Sequence, residues 1–415
     1  MVKHKIIIGD SRKMVEVSDD SIGLIVTSPP YWNIKDYGQE GQIGYGQTLH
    51  EYLKDLYRVW KECYRILTPG RRLCVNIGDQ FARTIIYGRY KVIPLHAEII
   101  AECEDIGFDY MGSIIWQKKT TMNTTGGATV MGSYPYPPNG IIEIDYEFIL
   151  IFKKPGVNNF SDKAKKSESS LSKEEWKTFF TGHWTFGGAK QKEHEAMFPD
   201  ELPYRLIKMF SFVDDVVLDP FLGSGTTVKV AMDLNRNSIG YEINDKYLDI
   251  IKEKVKTNIF CQDSLKIYLR KNPILTDEIQ YQPTIQNAEP KISPQKLNFA
   301  NGSLYKVTEI ISADVIKLNT GLLVKLLGVS IIDNQATIDY LKKHLLNKEV
   351  ILKFDKIQGE AKEPLNAYVY LKNKIFINSY LIKSSLAVTD RGSCFDFKDR
   401  FLQLEETPIC PKNGF

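Results

Sequence analysis

The chain has 415 residues, 43% apolar and 25% charged, which is enough for a large core and, at roughly 150 residues per domain, for more than one domain. Its formal charge of +3 is too small to identify a polyanionic partner by itself, and its overall balance is that of an ordinary soluble protein. Six cysteines (Cys63, Cys74, Cys103, Cys261, Cys394 and Cys410) are scattered, with no CxxC pair and no histidine at metal-ligand spacing, so reduced thiols and no metal site are expected.

The first residues, M-V-K-H-K-I-I-I-G-D, hold too short an apolar run for a signal peptide, and no later segment approaches the roughly 18 apolar residues of a membrane span. A cytoplasmic protein without a membrane partner is expected. From residue 5 to about 256, short β-branched runs alternate with longer amphipathic ones. Strands are predicted at Lys5 to Ile8, Ile22 to Thr27, Leu73 to Ile77, Gly112 to Gln117, Glu147 to Phe152, Val216 to Leu218 and Asn237 to Tyr241. Helices are predicted at Leu49 to Leu67, Ile93 to Ile106, Leu202 to Phe212, Thr226 to Leu234 and Lys246 to Lys256, with Arg71 and Arg72 in a turn. Alternation of this kind means βαβ units, a mostly parallel sheet with helices on both faces, and a ligand site at the carboxyl ends of the strands.

Two stretches are longer than ordinary connections: 119 to 141, with the Gly-rich T-T-G-G-A-T at 124 to 129, and 153 to 193, rich in Lys and aromatics. Residues 272 to 302 form a polar, Pro- and Gln-containing linker. Beyond it, 303 to 390 changes to short strands with period-two alternation and two helical segments, Ile338 to Leu346 and Ile377 to Lys383, which reads as a small β-barrel; 391 to 415 is left as a tail.

Two strand ends carry chemistry. In T-S-P-P-Y-W (27 to 32) two successive prolines remove backbone donors and restrict φ, leaving a rigid end whose carbonyls face outward. Ser28 adds an acceptor and Tyr31 a flat apolar face, a set suited to a planar group bearing an amine. In V-V-L-D-P-F-L-G-S-G-T-T (216 to 227) a strand runs into Asp219, a turn with Gly223 and Gly225, and a helix start at Thr226. Glu242 ends the next strand, where an acid suits ribose hydroxyls. The loop has neither the Lys of a phosphate-binding loop nor the G-x-G-x-x-G spacing, so an adenosine-type ligand without a phosphate requirement is expected.

S-P-P-Y (Ser28, Pro29, Pro30, Tyr31) resembles the catalytic motif of S-adenosylmethionine-dependent DNA methyltransferases acting on exocyclic amino groups. D-P-F-L-G-S-G-T-T resembles their cofactor motif, and R-I-L-T-P-G (65 to 70), I-W-Q-K (115 to 118), H-E-A-M-F-P (194 to 199) and R-L-I (205 to 207) resemble further blocks. The order, catalytic before cofactor motif, is the circularly permuted order of the β group. The resemblance implies a Rossmann-like methyltransferase domain over 1 to 271, with S-adenosyl-L-methionine as cofactor. Asp219, Pro220, Phe221, Gly223, Ser224, Gly225, Thr226, Glu242, Phe198 and Pro199 would lie around it. Asp10 in G-D-S, or else Asp263 in Q-D-S, would contact its adenine, unless either acid only caps a helix.

The resemblance also implies a base rotated out of double-stranded DNA, its amine bound by Ser28 and the Pro29 carbonyl and its ring stacked on Tyr31, with neither a covalent enzyme intermediate nor a metal. Ser before P-P-Y is found mostly in N4-cytosine enzymes, with N6-adenine as the alternative. Pairing with a restriction endonuclease in a prokaryotic, nucleoid-associated setting follows from the family. Target recognition is assigned to 153 to 193, with Lys177, His183, Trp184 and Lys190 as DNA contacts, although the aromatics there could equally anchor the loop to the core. The 303 to 390 barrel weakly resembles a staphylococcal-nuclease-like OB fold. Asp314 matches one of its metal acids, but Lys325 and Pro364 stand where its arginines belong, so no nuclease activity is expected. A catalytically silent DNA-binding protein of the same fold is the competing class.

Overall fold

The computed structural model describes residues 3–33, 38–39, 41–82, 84–87, 91–118, 138, 142, 144–157, 162–188, 198–256, 265–270, 275, 278–285, 290, 292–293, 296–297, 303–355 and 363–406. They fall into two units, Met1–Gln80 with Ile93–Asn287, and Phe81–Val92 with Ala288–Phe415.

In the first unit, β1 (His4–Ile8) and β2 (Ile22–Thr27) precede α1 (Leu49–Ile66) and β3 (Leu67–Ile77). Thr48 and Glu51 close a capping box at the start of α1, and Tyr52, Leu56, Val59, Trp60 and Cys63 recur at helical spacing on its buried face. A short ladder of β4 (Gln80–Ala82) and β5 (Lys91–Ile93), with α2 (Thr84–Tyr87) between them, lies almost wholly in the second unit, and the first resumes with α3 (Leu95–Ile106), β6 (Asp109–Lys118) and β7 (Tyr146–Lys153). Then follow α4 (Lys163–Glu168), α5 (Lys173–Phe179), β8 (His183–Phe186), α6 (Glu201–Phe210), β9 (Val216–Asp219), α7 (Thr226–Asp233), β10 (Asn237–Glu242), α8 (Leu248–Lys256) and β11 (Leu265–Leu269).

The nine-stranded sheet has the order β11-β1-β10-β9-β2-β3-β7-β6-β8. Its first six strands are parallel, while β7 runs antiparallel to both β3 and β6. From β2 the chain proceeds outward to β3, and from β9 it proceeds the other way to β10. The gap between β2 and β9 is therefore the switch point at which open α/β sheets bind ligands.

The second unit is built on a closed barrel of β12 (Tyr305–Ile310), β13 (Val315–Leu318), β14 (Leu323–Leu326), β16 (Glu349–Lys353) and β17 (Leu365–Leu371). A ladder of β15 (Val329–Ile331) and β18 (Ala387–Thr389), with α9 (Asn334–His344), α10 (Ile377–Lys383) and α11 (Lys398–Glu406), completes it. Asn378 is fully buried and joins α10 to the barrel by accepting from Val369 N and donating to the Leu327 and Ala367 carbonyls.

The structure differs from the sequence boundaries in four places. Residues 81–92, expected in the first domain, belong to the second unit, where Ile86 enters the core. The expected linker is divided: Tyr281, Thr284 and Ile285 bind the buried Glu98 carboxylate in the first unit, whereas Ile292 and Leu297 enter the core of the second. The expected tail contributes Phe395 and Phe401 to that same core, because a five-stranded barrel leaves an apolar end for a helix to cover. Arg71 and Arg72 lie within β3 and not in a turn, Arg71 paired with Asp215 at 3.0 Å.

Candidate functional site

Thr27 ends β2 beside Asp219, which ends β9, and the Thr27 hydroxyl donates to Asp219 Oδ1 at 2.7 Å. Two motifs separated by 192 residues thus meet at the switch point. Asp219 is almost wholly buried. Its Oδ2 accepts from the Thr227 hydroxyl at 2.6 Å and its Oδ1 also from Phe221 N at 3.0 Å, so one carboxylate ties together the S-P-P-Y strand, the glycine loop and the first turn of α7. Burial raises its pKa from 3.8 to about 6, against the opposing pull of these three donors.

In the glycine loop, Gly223 has φ +54° and no atom of the described residues within 4 Å of a would-be Cβ, so the backbone is open to a ligand there. Gly225 has φ +90° and caps α7 close against Ile251. Pro220 is buried, and Phe221 packs edge-on against Trp60. Ser224 and Thr226 are buried beneath the Lys254 ammonium, which donates to their hydroxyls at 3.0 and 2.6 Å. Glu242, at the end of β10, accepts from Gly223 N and from Asn244 N, each at 2.9 Å. Burial lifts its carboxyl from 4.5 to about 7. Phe198 and Pro199 precede α6, with Phe198 packed against the apolar cluster under β2 and β9.

Asp10 follows β1, the neighbour of β10, with Ile8 paired to Glu242. Both its oxygens are bound by the Arg12 guanidinium, which also reaches Asp55 at 2.6 Å. Asp263, the competing acid, lies outside the described residues, as do Lys190, His194 and the 124–129 stretch.

On the catalytic side, the Ser28 hydroxyl makes no hydrogen bond within the described residues. The Pro30 carbonyl accepts from the Tyr52 hydroxyl at 2.9 Å, and the Tyr31 hydroxyl donates to Glu147 at 2.7 Å. Thr27, Tyr52 and Glu147 were not singled out from the sequence. An acid opening the apolar strand Glu147 to Phe152 was the available signal for the last of them.

The recognition assignment to 153–193 needs correction at Trp184. This residue is 1% exposed, and its indole N–H donates to the Phe179 carbonyl at 3.0 Å. The Arg205 guanidinium lies over the Phe179, Trp184 and Phe186 rings at 5.5, 5.1 and 4.9 Å, so these aromatics anchor the insertion to α6. Lys165 pairs with Asp214 and Val213 N donates to Ser169, both just before β9 begins, which holds α4 at the amino end of β9, the end of the sheet away from Ser28. Lys177 and His183 are exposed. Trp184→Ala is expected to cost about 3 kcal/mol of stability in chemical denaturation, with DNA affinity of the folded protein unchanged. Wild-type stability with weakened DNA binding would return Trp184 to the surface role.

In the second unit, Asp314 lies 3.4 Å from the Lys325 ammonium, so the acid matching the nuclease pattern faces a cation from the position of an expected arginine.

A family profile described as DNA methylase, of N6/N4 methyltransferase type, matches residues 22–253 and ends before the barrel. The Type II methyltransferase M.MjaI of Methanocaldococcus jannaschii is 41% identical over 281 residues, 61% of this chain and 91% of that protein. M.MthZI of Methanothermobacter thermautotrophicus is 34% identical over 62% of this chain and 77% of its own. Among solved structures, a candidate DNA modification methylase of Thermus thermophilus, complexed with S-adenosyl-L-methionine, superposes with a TM-score of 0.53 at 36% identity, covering 64% of this chain and 98% of its own.

Proposed function

Because the chain belongs to the N6/N4 DNA methylase family, we propose that it transfers the methyl group of S-adenosyl-L-methionine to the exocyclic N4 of cytosine in double-stranded DNA. It would do so as the modification partner of a restriction endonuclease, in keeping with the Type II relatives. What carries this reading is the Thr27–Asp219 hydrogen bond of 2.7 Å, which sets an amine-accepting loop beside a glycine loop whose Gly223 N–H donates to Glu242 at the end of the next strand.

The residues present fit the cofactor. Gly223 leaves the backbone open, Glu242 offers a carboxylate at the end of β10 for ribose hydroxyls, and Phe221 and Phe198 supply apolar surface. Asp10 follows the strand paired with the one that carries Glu242, which supports its assignment to the adenine end of the cofactor. The cofactor supplies an electrophilic methyl group on a sulfonium.

The chain's part is positioning. The Ser28 hydroxyl and the Pro29 carbonyl accept from the amine of an extruded base, drawing its lone pair toward the methyl carbon, while Tyr31 stacks on its ring. A cysteine nucleophile has no support among the described residues of this unit: Cys63, Cys74 and Cys103 are buried, and burial raises their thiols, that of Cys74 to about 12. The choice of N4 rests on the resemblance alone, in which Ser before P-P-Y, here Ser28, is found mostly in N4-cytosine enzymes. Lys177 and His183 remain exposed enough to meet a phosphate backbone.

Expression in a methylation-deficient host, followed by nucleoside mass spectrometry of its DNA, tests the reading. N4-methylcytosine is expected, N6-methyladenine would overturn the base assignment, and neither would overturn the activity.

Glu242 gives a pH signature. Its folded pKa of about 7 lies above the ordinary 4.5, so the stability it contributes is present below about 4.5 and lost as pH rises through 7. Ribose hydroxyls donate to the ionised carboxylate, so cofactor affinity by calorimetry is expected to tighten about tenfold from pH 6 to 8 and then level off. A flat profile would remove Glu242 from the ribose.

A further inference from the structure

The carboxyl edge of the sheet holds a buried cluster that the methyl-transfer reading leaves unused. Glu147, in β7, is 6% exposed. Its Oε1 accepts from the Tyr31 hydroxyl at 2.7 Å and from the Lys118 ammonium, and its Oε2 accepts from Asn76 Nδ2 at 2.7 Å. A Cβ on Gly78 would stand 3.1 Å from Glu147 Cγ, so the chain just after β3 packs closely against this side chain. The donors come from β3, β6 and the loop after β2. Lys118 is held from its other side by the Trp116 ring at 5.2 Å. A buried carboxylate survives only when its charge is balanced and its oxygens are occupied, and both conditions are met here.

We propose that Glu147 is a positioning residue for methyl transfer: by gripping the Tyr31 hydroxyl it fixes the plane of the ring that receives the extruded base, while Lys118 and Asn76 hold Glu147 in place. This rests on the reading of Tyr31 as the stacking residue. A tyrosine on a loop can turn about two side-chain torsions, and each orientation other than the stacking one delays base capture. Anchoring the far end of the ring removes that freedom before the base arrives. The near end is held as well, because the Tyr52 hydroxyl binds the Pro30 carbonyl. Stacking area is the same for phenylalanine, so the hydroxyl can be tested without removing the ring.

The test uses Tyr31→Phe, Glu147→Gln and the double variant in the full-length protein, read by kcat and KM on plasmid DNA, cofactor affinity by calorimetry and melting temperature. Tyr31→Phe is expected to lower kcat about tenfold, with cofactor affinity and melting temperature unchanged. Its carboxylate partner keeps Lys118 and Asn76, so the fold survives. Glu147→Gln is expected to lower kcat by a similar factor, with a lower melting temperature because the Lys118 ammonium loses its counter-charge, and the double variant to have a kcat no lower than either alone. Wild-type kcat in Tyr31→Phe, or losses that multiply in the double variant, would overturn the proposal. Failure of the unsubstituted protein to methylate DNA would instead overturn the reading on which it rests, so the two failures are distinct.

Discussion

Tyr31→Ala is expected to reduce methyl transfer to DNA at least a hundredfold while leaving S-adenosyl-L-methionine affinity within about twofold. Two losses combine. The ring that stacks on the extruded base is gone, a contact worth roughly 1–3 kcal/mol per base in comparable sites. The anchoring of Glu147 is weakened at the same time, because one of the three donors to its carboxylate disappears. The cofactor loop lies beyond Thr27 and Asp219 and loses no partner, which is why the effect should fall on turnover and not on cofactor binding. Calorimetry of cofactor binding beside a methyl-incorporation assay checks both halves. Near wild-type turnover would remove Tyr31 from the base pocket, and a large loss of cofactor affinity would mean that the two loops share more than one hydrogen bond.

Asp219→Ala is expected to be the most damaging change to the fold of the first unit, at about 3 kcal/mol or more in chemical denaturation. It strands the Thr27 and Thr227 hydroxyls and the Phe221 amide, each buried donor costing roughly 1–3 kcal/mol when left unsatisfied. Cofactor affinity should fall about tenfold because the glycine loop loses its fastening, even though both carboxylate oxygens are engaged by the protein itself. Asp219→Asn should cost less, since one oxygen still accepts and the amide can donate to a threonine oxygen.

The pH dependence separates the two Asp219 variants further. With the folded pKa near 6 and the ordinary value at 3.8, neutral Asp219 contributes stability below about 3.8 that is lost as pH rises through 6. The asparagine variant should therefore show a flatter stability profile between pH 4 and 6 than the wild type. Identical slopes would place the buried titration elsewhere.

The catalytic and cofactor motifs could be read from the sequence because their chemistry is local. Two prolines stiffen a strand end, two glycines open a turn, and a period of two or 3.6 marks the flanking elements, so Ile22–Thr27 and Ile377–Lys383 have the same bounds in sequence and structure. The strand His183–Phe186 and its helices did not show, because aromatics interleaved with exposed polar residues look alike in a DNA-contacting loop and in an anchored one. Which of the two Trp184 belongs to depends on Arg205, and that pairing exists only after folding.

The sequence by itself determined the family, the permuted order of its motifs, the alternation that builds a mostly parallel sheet and the change to a barrel near residue 303. All of these are properties of short windows or of their order. Tertiary structure alone decided that β2 and β9 are neighbours, that Asp219 is a buried fastening between two loops, that Glu147 gathers Tyr31, Lys118 and Asn76, and that residues 81–92 belong with the barrel. Each of these joins residues far apart in the chain, and a buried polar group finds its partners only once the strands that carry them are paired.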